Sequence, residues 1–163
     1  MKAIIILMLF VSGFMSSCPA ISENRWNENL QYNAMLGASH LDGVLAFEVI
    51  NDNHAVSLGF PWRLSYKYFL SADTDSYLIG VYAGQFDGDH DDALVNGANY
   101  DDVEHRFVGF GAGYRWYYDD TVNLSLTINI NYEEEHFSNP GNSDRYTDYE
   151  LKWMPGIIGG IRF

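Results

Sequence analysis

From Leu30 onward apolar and polar side chains alternate with a period of two, the signature of half-buried strands, and helical spacing is nearly absent. Leu30, Tyr32, Ala34, Leu36 and Ala38 alternate with Gln31, Asn33 and Met35, and Gly43 to Ile50 reads as a second strand. Asn51-Asp52-Asn53 is a turn cluster. From Val56 to Leu70 the even positions are apolar and the odd ones polar or small, apart from Phe69. Pro61 has no N–H to give to a ladder, so it marks a bulge or splits this run in two. Tyr77 to Phe86 forms the next strand, and Asp87 to Asp102, acidic and rich in Gly and Asn, reads as a long exposed loop. Arg106 to Tyr118, Val122 to Ser138 and Asp148 to Phe163 complete the set, with a tight turn at Asp119-Asp120 and a loop over Asn139 to Thr147. Seven strands are plain. Even numbers are the rule in bacterial single-chain barrels, which makes the expected fold an all-β, eight-stranded antiparallel transmembrane β-barrel.

The distribution of residue types decides which face is outside. The less apolar faces carry glycines, serines, Arg63, Lys67 and Arg115, which suit a narrow polar interior. The opposite faces are bulky and aromatic. A soluble barrel would reverse this arrangement. In the last strand Tyr149, Leu151, Trp153, Ile157, Ile161 and Phe163 share one face, and the terminal aromatic resembles the assembly signal of outer-membrane barrels. Tyr (12), Phe (10) and Trp (4) are abundant, as aromatic girdles require. No later segment approaches the ~18 apolar residues of a membrane helix.

Residues 1–20 read as a secretory signal peptide. Lys2 gives the positive start, Ala3 to Phe14 the apolar run, and Ser16, Ser17 and Ala20 the small residues for cleavage. Residues 21–163 are then one barrel domain, exported to the bacterial outer membrane. Met15-Ser16-Ser17-Cys18 resembles a lipobox, but Met15 replaces the usual branched aliphatic residue, and cleavage after Ala20 is the favoured reading. Cys18 is the only cysteine, so no internal disulfide forms. Twenty-two acidic residues against nine basic ones give a formal charge of −13, which argues against nucleic acid as a partner.

The candidate chemistry lies at the end of the Val122 strand. His136 and Ser138 fall on its even, apolar side together with Glu134, so imidazole and hydroxyl are neighbours on one face. A serine nucleophile needs such a base, and a third group to orient the base. Spacing alone equally describes a strand end emerging among lipid headgroups. His136-Phe137-Ser138-Asn139 also resembles the His-x-Ser-Asn motif of the PagL-type lipid A 3-O-deacylases, whose acid stands fourteen residues after the histidine, here Glu150. Glu104-His105-Arg106 through Gly111-Ala112-Gly113 looks like another strand of that family.

The resemblance implies an eight-stranded outer-membrane serine esterase that removes an ester-linked 3-O-acyl chain from lipid A of lipopolysaccharide, with no cofactor and no metal. Ser138 is then the nucleophile, His136 the base and Glu150 the acid, with Asn139 and Gly141 on the oxyanion side. The family often has an asparagine ten residues after the histidine; Tyr146 stands there, with Asn142 nearby as a substitute. Strict alternation points Glu150 into the barrel unless a bulge at Pro155-Gly156 shifts the register. Without a bulge, Glu134 is the substitute acid.

Three alternatives remain in view. A non-enzymatic barrel for adhesion or envelope defence would bind through its acidic loops. A channel is disfavoured, because side chains fill an eight-stranded interior. Asp87-Gly88-Asp89-His90-Asp91-Asp92 offers oxygen ligands to a divalent cation but lacks the full calcium-loop pattern, and reads as a solvated loop. His40, His54 and His105 read as structural or surface residues.

Overall fold

A computed structural model describes residues 30–95, 98–138 and 145–163, with the side chains of 88–102 and 145 excluded. The leader, Cys18, Asn139, Gly141 and Asn142, together with the side chains of Asp89 to Asp92, lie outside the described residues.

Eight strands form a closed barrel, each antiparallel to the next: β1 (Leu30–Ser39), β2 (Gly43–Asn51), β3 (His54–Phe60), β4 (Arg63–Phe69), β5 (Ser76–Val95), β6 (Ala98–Tyr117), β7 (Val122–Ser138) and β8 (Arg145–Arg162). Pro61 does split its run, and Pro61-Trp62 is the turn between β3 and β4. Closure joins β8 to β1, with Asn33 opposite Arg162 and Ala38 opposite Ile157. Phe163 N donates to Tyr32 O at 2.9 Å, Tyr32 N returns a bond to Phe163 O, and the Phe163 ring packs with Tyr32 and Phe47. The terminal aromatic therefore seals the seam. At the β6–β7 turn, Asp119 Oδ1 accepts from Thr121 N (2.7 Å) and Val122 N (2.6 Å), and these two donors hold its carboxyl below the usual aspartate range.

Within the segment expected as a loop over Asp87 to Asp102, the described residues 87–95 and 98–102 are strand instead, with the β5–β6 ladder continuing past Asp87↔Glu104 and Asp89↔Asp102 to Val95↔Ala98 through one irregularity. Backbone N–H and C=O groups pair there without an apolar face to announce it. The last strand likewise begins at Arg145, ahead of the expected Asp148. Consequently β5 to β8 rise as a tall half-wall above β1 to β4. The pairing of β4 with β5 ends at Arg63↔Gly84, and that of β1 with β8 at Ala38↔Ile157.

Strand alternation sorts the side chains into a polar lumen and an apolar outer face. On β7, Asn123, Ser125, Thr127, Asn129 and Asn131 are buried inside, while Val122, Leu124, Leu126, Ile128 and Tyr132 are exposed outside. The lower lumen is held by charge. Glu48 accepts from Arg115 Nη1 at 2.7 Å and from Asn33 Nδ2 at 3.0 Å, and pairs with Lys67. Lys67 also reaches Asp42, which accepts from Ser57 Oγ at 2.7 Å. Arg115 bonds Ser125 Oγ at 2.8 Å and lies over the Phe69 ring at 4.6 Å. Two cations and two carboxylates, each at most 2% exposed, therefore balance one another.

The β1–β2 turn folds inward as a plug. Leu41 is fully buried against Ile50, Phe69, Leu78 and Tyr82, and Asp42 joins the charge network. Gly43 makes the reversal at φ 92°, a conformation that L side chains rarely adopt. Gly59 leaves the space that the Asp42 carbonyl occupies.

Replacing Arg115 leaves Glu48 with Lys67 as its one remaining cationic partner. Arg115→Met is expected to lower stability by about 3–5 kcal/mol, measured by urea unfolding of the barrel in detergent micelles. Unchanged stability would show that the network is dispensable.

Candidate functional site

His136 and Ser138 are where alternation put them, on the outer face near the upper end of β7, both half-buried. His136 is opposite Glu104 of β6 and Thr147 of β8. Its Nδ1 is 3.1 Å from Thr147 Oγ1. Its Nε2 is 3.3 Å from Glu134 Oε1, in contact but outside hydrogen-bond alignment. Two residues below, Arg106 holds Glu104 bidentately at 2.7 and 3.0 Å. The stacked rings of Tyr132 and Tyr149 (5.8 Å) lie just beneath this polar patch and divide it from the apolar belt.

Glu150 is elsewhere. The β7–β8 ladder runs without a register shift from Val122↔Ile161 to Ser138↔Arg145, through Ile128↔Pro155 and Thr127↔Gly156. The bulge needed at Pro155-Gly156 is absent, so Glu150 pairs opposite Glu133 with inward parity. Its carboxylate is 63% exposed and 3.4 Å from Lys152. The structure thus joins His136 to Glu134 and Thr147, and does not bring Glu150 to it. Tyr146, where the resemblance calls for asparagine, packs on Phe137 at 5.8 Å, inside.

A second constellation lines the inner side of the tall half-wall. His105 of β6 is opposite Glu135 of β7, and Glu133 is opposite Glu150 of β8. His105 Nδ1 is 2.9 Å from Glu133 Oε1 and 3.5 Å from Glu135 Oε1. The Phe86 ring, directly across the ladder, stacks on the imidazole at 4.4 Å and 8°. Lys152 Nζ contacts Glu133 at 3.0 Å and Glu135 at 3.1 Å. The odd positions of Glu133 and Glu135 on β7 were the available sequence signal, because odd residues on that strand face inward. The cross-strand partners have none.

No curated protein and no solved structure matches the chain. The family comparison overturns the resemblance to the PagL-type deacylases: the family that matches is a different one, and the His-x-Ser-Asn likeness rests on four adjacent residues and one spacing. Residues 62–154, more than half of the chain, match the family described as "Protein of unknown function, DUF481", and the protein belongs to that family.

Proposed function

We propose that the protein is an integral β-barrel of the bacterial outer membrane, closed to solutes, that works at its outer surface. The observation that carries this reading is the inversion of polarity: charges inside, a continuous apolar belt outside. On β7 the outward apolar positions run from Val122 to Tyr132. Eleven residues at a barrel tilt span about 25 Å, the height of a lipid-facing band. A water-soluble monomer exposes no apolar surface of this extent. The plug and the Glu48–Arg115–Lys67–Asp42 network argue against conduction.

His136 stands four residues above the Tyr132 ring, roughly 10 Å along the barrel axis for tilted strands. That is the level of lipid headgroups. One specific observation favours a second, enzymatic reading, hydrolysis of an ester-linked acyl chain of lipid A: Glu134 is in contact with His136, on the face that also carries Ser138. In this reading His136 Nδ1 exchanges Thr147 for the Ser138 hydroxyl and takes its proton as the oxygen attacks the ester carbonyl. Glu134 stabilises the imidazolium, and the proton goes to the leaving sugar oxygen. Water, deprotonated by His136, then attacks the acyl-Ser138 carbonyl, releasing the fatty acid and returning the proton to Ser138.

Trp153 is exposed in the belt, and Trp62 is exposed in the β3–β4 turn at its upper edge. Their fluorescence is expected to fall by about half or more in vesicles of brominated phospholipid, with no conductance in planar bilayers. A detergent-free soluble monomer would overturn the membrane reading. For the enzymatic reading, mass spectrometry of lipid A from expressing cells is expected to show loss of one acyl chain. Ser138→Ala, His136→Ala and Glu134→Gln abolish the loss, and Glu150→Gln retains it. Unaltered lipid A around a folded barrel would leave a non-enzymatic surface role such as adhesion or envelope defence.

A further inference from the structure

The upper lumen differs from the lower in one respect that bears on ligands: its charges do not balance. Lys152 faces Glu133, Glu135 and Glu150 at 3.0, 3.1 and 3.4 Å, one ammonium against three carboxylates. Among these four groups the carboxylates exceed the ammonium by two; Arg63, acting on Glu133 from its place on the Ser39 and His40 carbonyls, makes up part of that deficit, and Glu150 is largely exposed. Glu133 and His105 are buried, and Glu135 is half-buried, so water compensates only part of that deficit.

The donor set matches a cation of specific chemistry. One atom each from His105, Glu133 and Glu135 lies within 4.8 Å of the other two. The imidazole-to-carboxylate separations of 2.9 and 3.5 Å bracket the ~3.3 Å edge of a tetrahedron whose bonds are ~2.05 Å long. An imidazole with carboxylates suits zinc-class ions, whereas magnesium and calcium prefer all-oxygen shells. The ligands are held before any ion arrives. They come from adjacent paired strands, and the Phe86 ring fixes the plane of His105 with Nδ1 toward Glu133.

An independent observation points to a ligand in the same chamber. Asn131, fully buried, turns its amide nitrogen to Glu133 Oε2 at 3.5 Å, and its Oδ1 has no hydrogen-bond partner among the described residues. Tyr82, 1% exposed, has an unpartnered hydroxyl as well. That hydroxyl lies over Gly109, the residue opposite Asn131 on the ladder. Buried polar atoms of this kind are ordinarily satisfied. Here the Asn131 amide contacts the carboxylate that the imidazole contacts, and the Tyr82 hydroxyl lies one ladder position away over Gly109.

We propose that His105, Glu133 and Glu135 bind a zinc-class divalent ion in the upper lumen, with Lys152 as the internal cation it displaces from the two glutamates. Binding cross-links β6 to β7 in the half-wall through side chains as well as backbone. The site is on the inner face, separate from His136 and Ser138, and does not rest on the membrane or enzymatic readings.

The test uses the full chain folded in detergent, with zinc followed by calorimetry and cobalt by its visible absorption. Wild type is expected to bind one equivalent of Zn²⁺, unaffected by millimolar Mg²⁺. His105→Ala and Glu133→Gln each weaken binding at least about tenfold and abolish the cobalt bands, in line with the loss of a ligand. Lys152→Met tightens binding, and His54→Ala, on the outer face, leaves it unchanged. Heat-modifiable electrophoretic mobility verifies that each variant is folded. Stoichiometric binding that survives His105→Ala and Glu133→Gln would overturn the proposal. So would absence of binding in folded wild type, including the case where Lys152→Met alone binds, since Lys152 is then the resident cation.

Discussion

The antiparallel ladder, closed from β8 onto β1, is the constraint from which the remaining features follow. Where the register of a closed sheet holds, as it does outside the shifts at Leu36–Ser39 and Asp89–Ala93, a side chain has two destinations, lumen or exterior, and its parity decides between them. The β7–β8 ladder holds one register over its whole length, so Glu133, Glu135 and Glu150 are committed to the inner side and Glu134, His136 and Thr147 to the outer. A slip of β8 by one residue would move Glu150 outward and Thr147 inward.

Closure also dictates the chemistry of the interior. An eight-stranded barrel has space for side chains and little else. Arg115 and Lys67 therefore enter together with Glu48 and Asp42, and Asp42 arrives on a turn folded into the barrel. Each ion is solvated by the others. Removing the whole set for well-packed apolar residues would be tolerable in energy, whereas removing one member leaves a buried charge exposed to the low dielectric. The lower lumen is thus a structural element, and its balance leaves nothing over for a ligand.

The upper end obeys different rules. There β5 to β8 outrun β1 to β4, and the outward positions change from Tyr132 and Leu151 to Glu134, His136 and Thr147. Above the apolar outer belt, and without full enclosure, the same strands carry polar groups on both sides. The outer patch gathers imidazole, carboxylate and hydroxyls just above an aromatic girdle. The inner patch gathers His105 and an excess of carboxylates around a single lysine. Both groupings sit at the one place where a barrel wall has polar surface to spare.

How much of this was legible in the chain depends on whether the feature is local. Period-two alternation located the barrel strands, and Val122 to Ser138 was delimited as the structure has it, because burial on one face imprints itself on successive residues. Alternation also gave Glu150 its inward parity. The bulge invoked to turn it outward is absent because Pro155 and Gly156 stay in step with Ile128 and Thr127. Asp87 to Asp102 escaped notice as strand, since backbone pairing between two polar segments leaves no apolar period to read. The inward folding of Leu41, the partnership of Arg115 with Glu48 sixty-seven residues away, and the meeting of His105 with Glu133 were decided by tertiary structure alone. The sequence determines which way each side chain of a strand faces, because that is set by its own neighbours. Only the paired and closed sheet determines what it faces, because that is set by register between strands far apart in the chain.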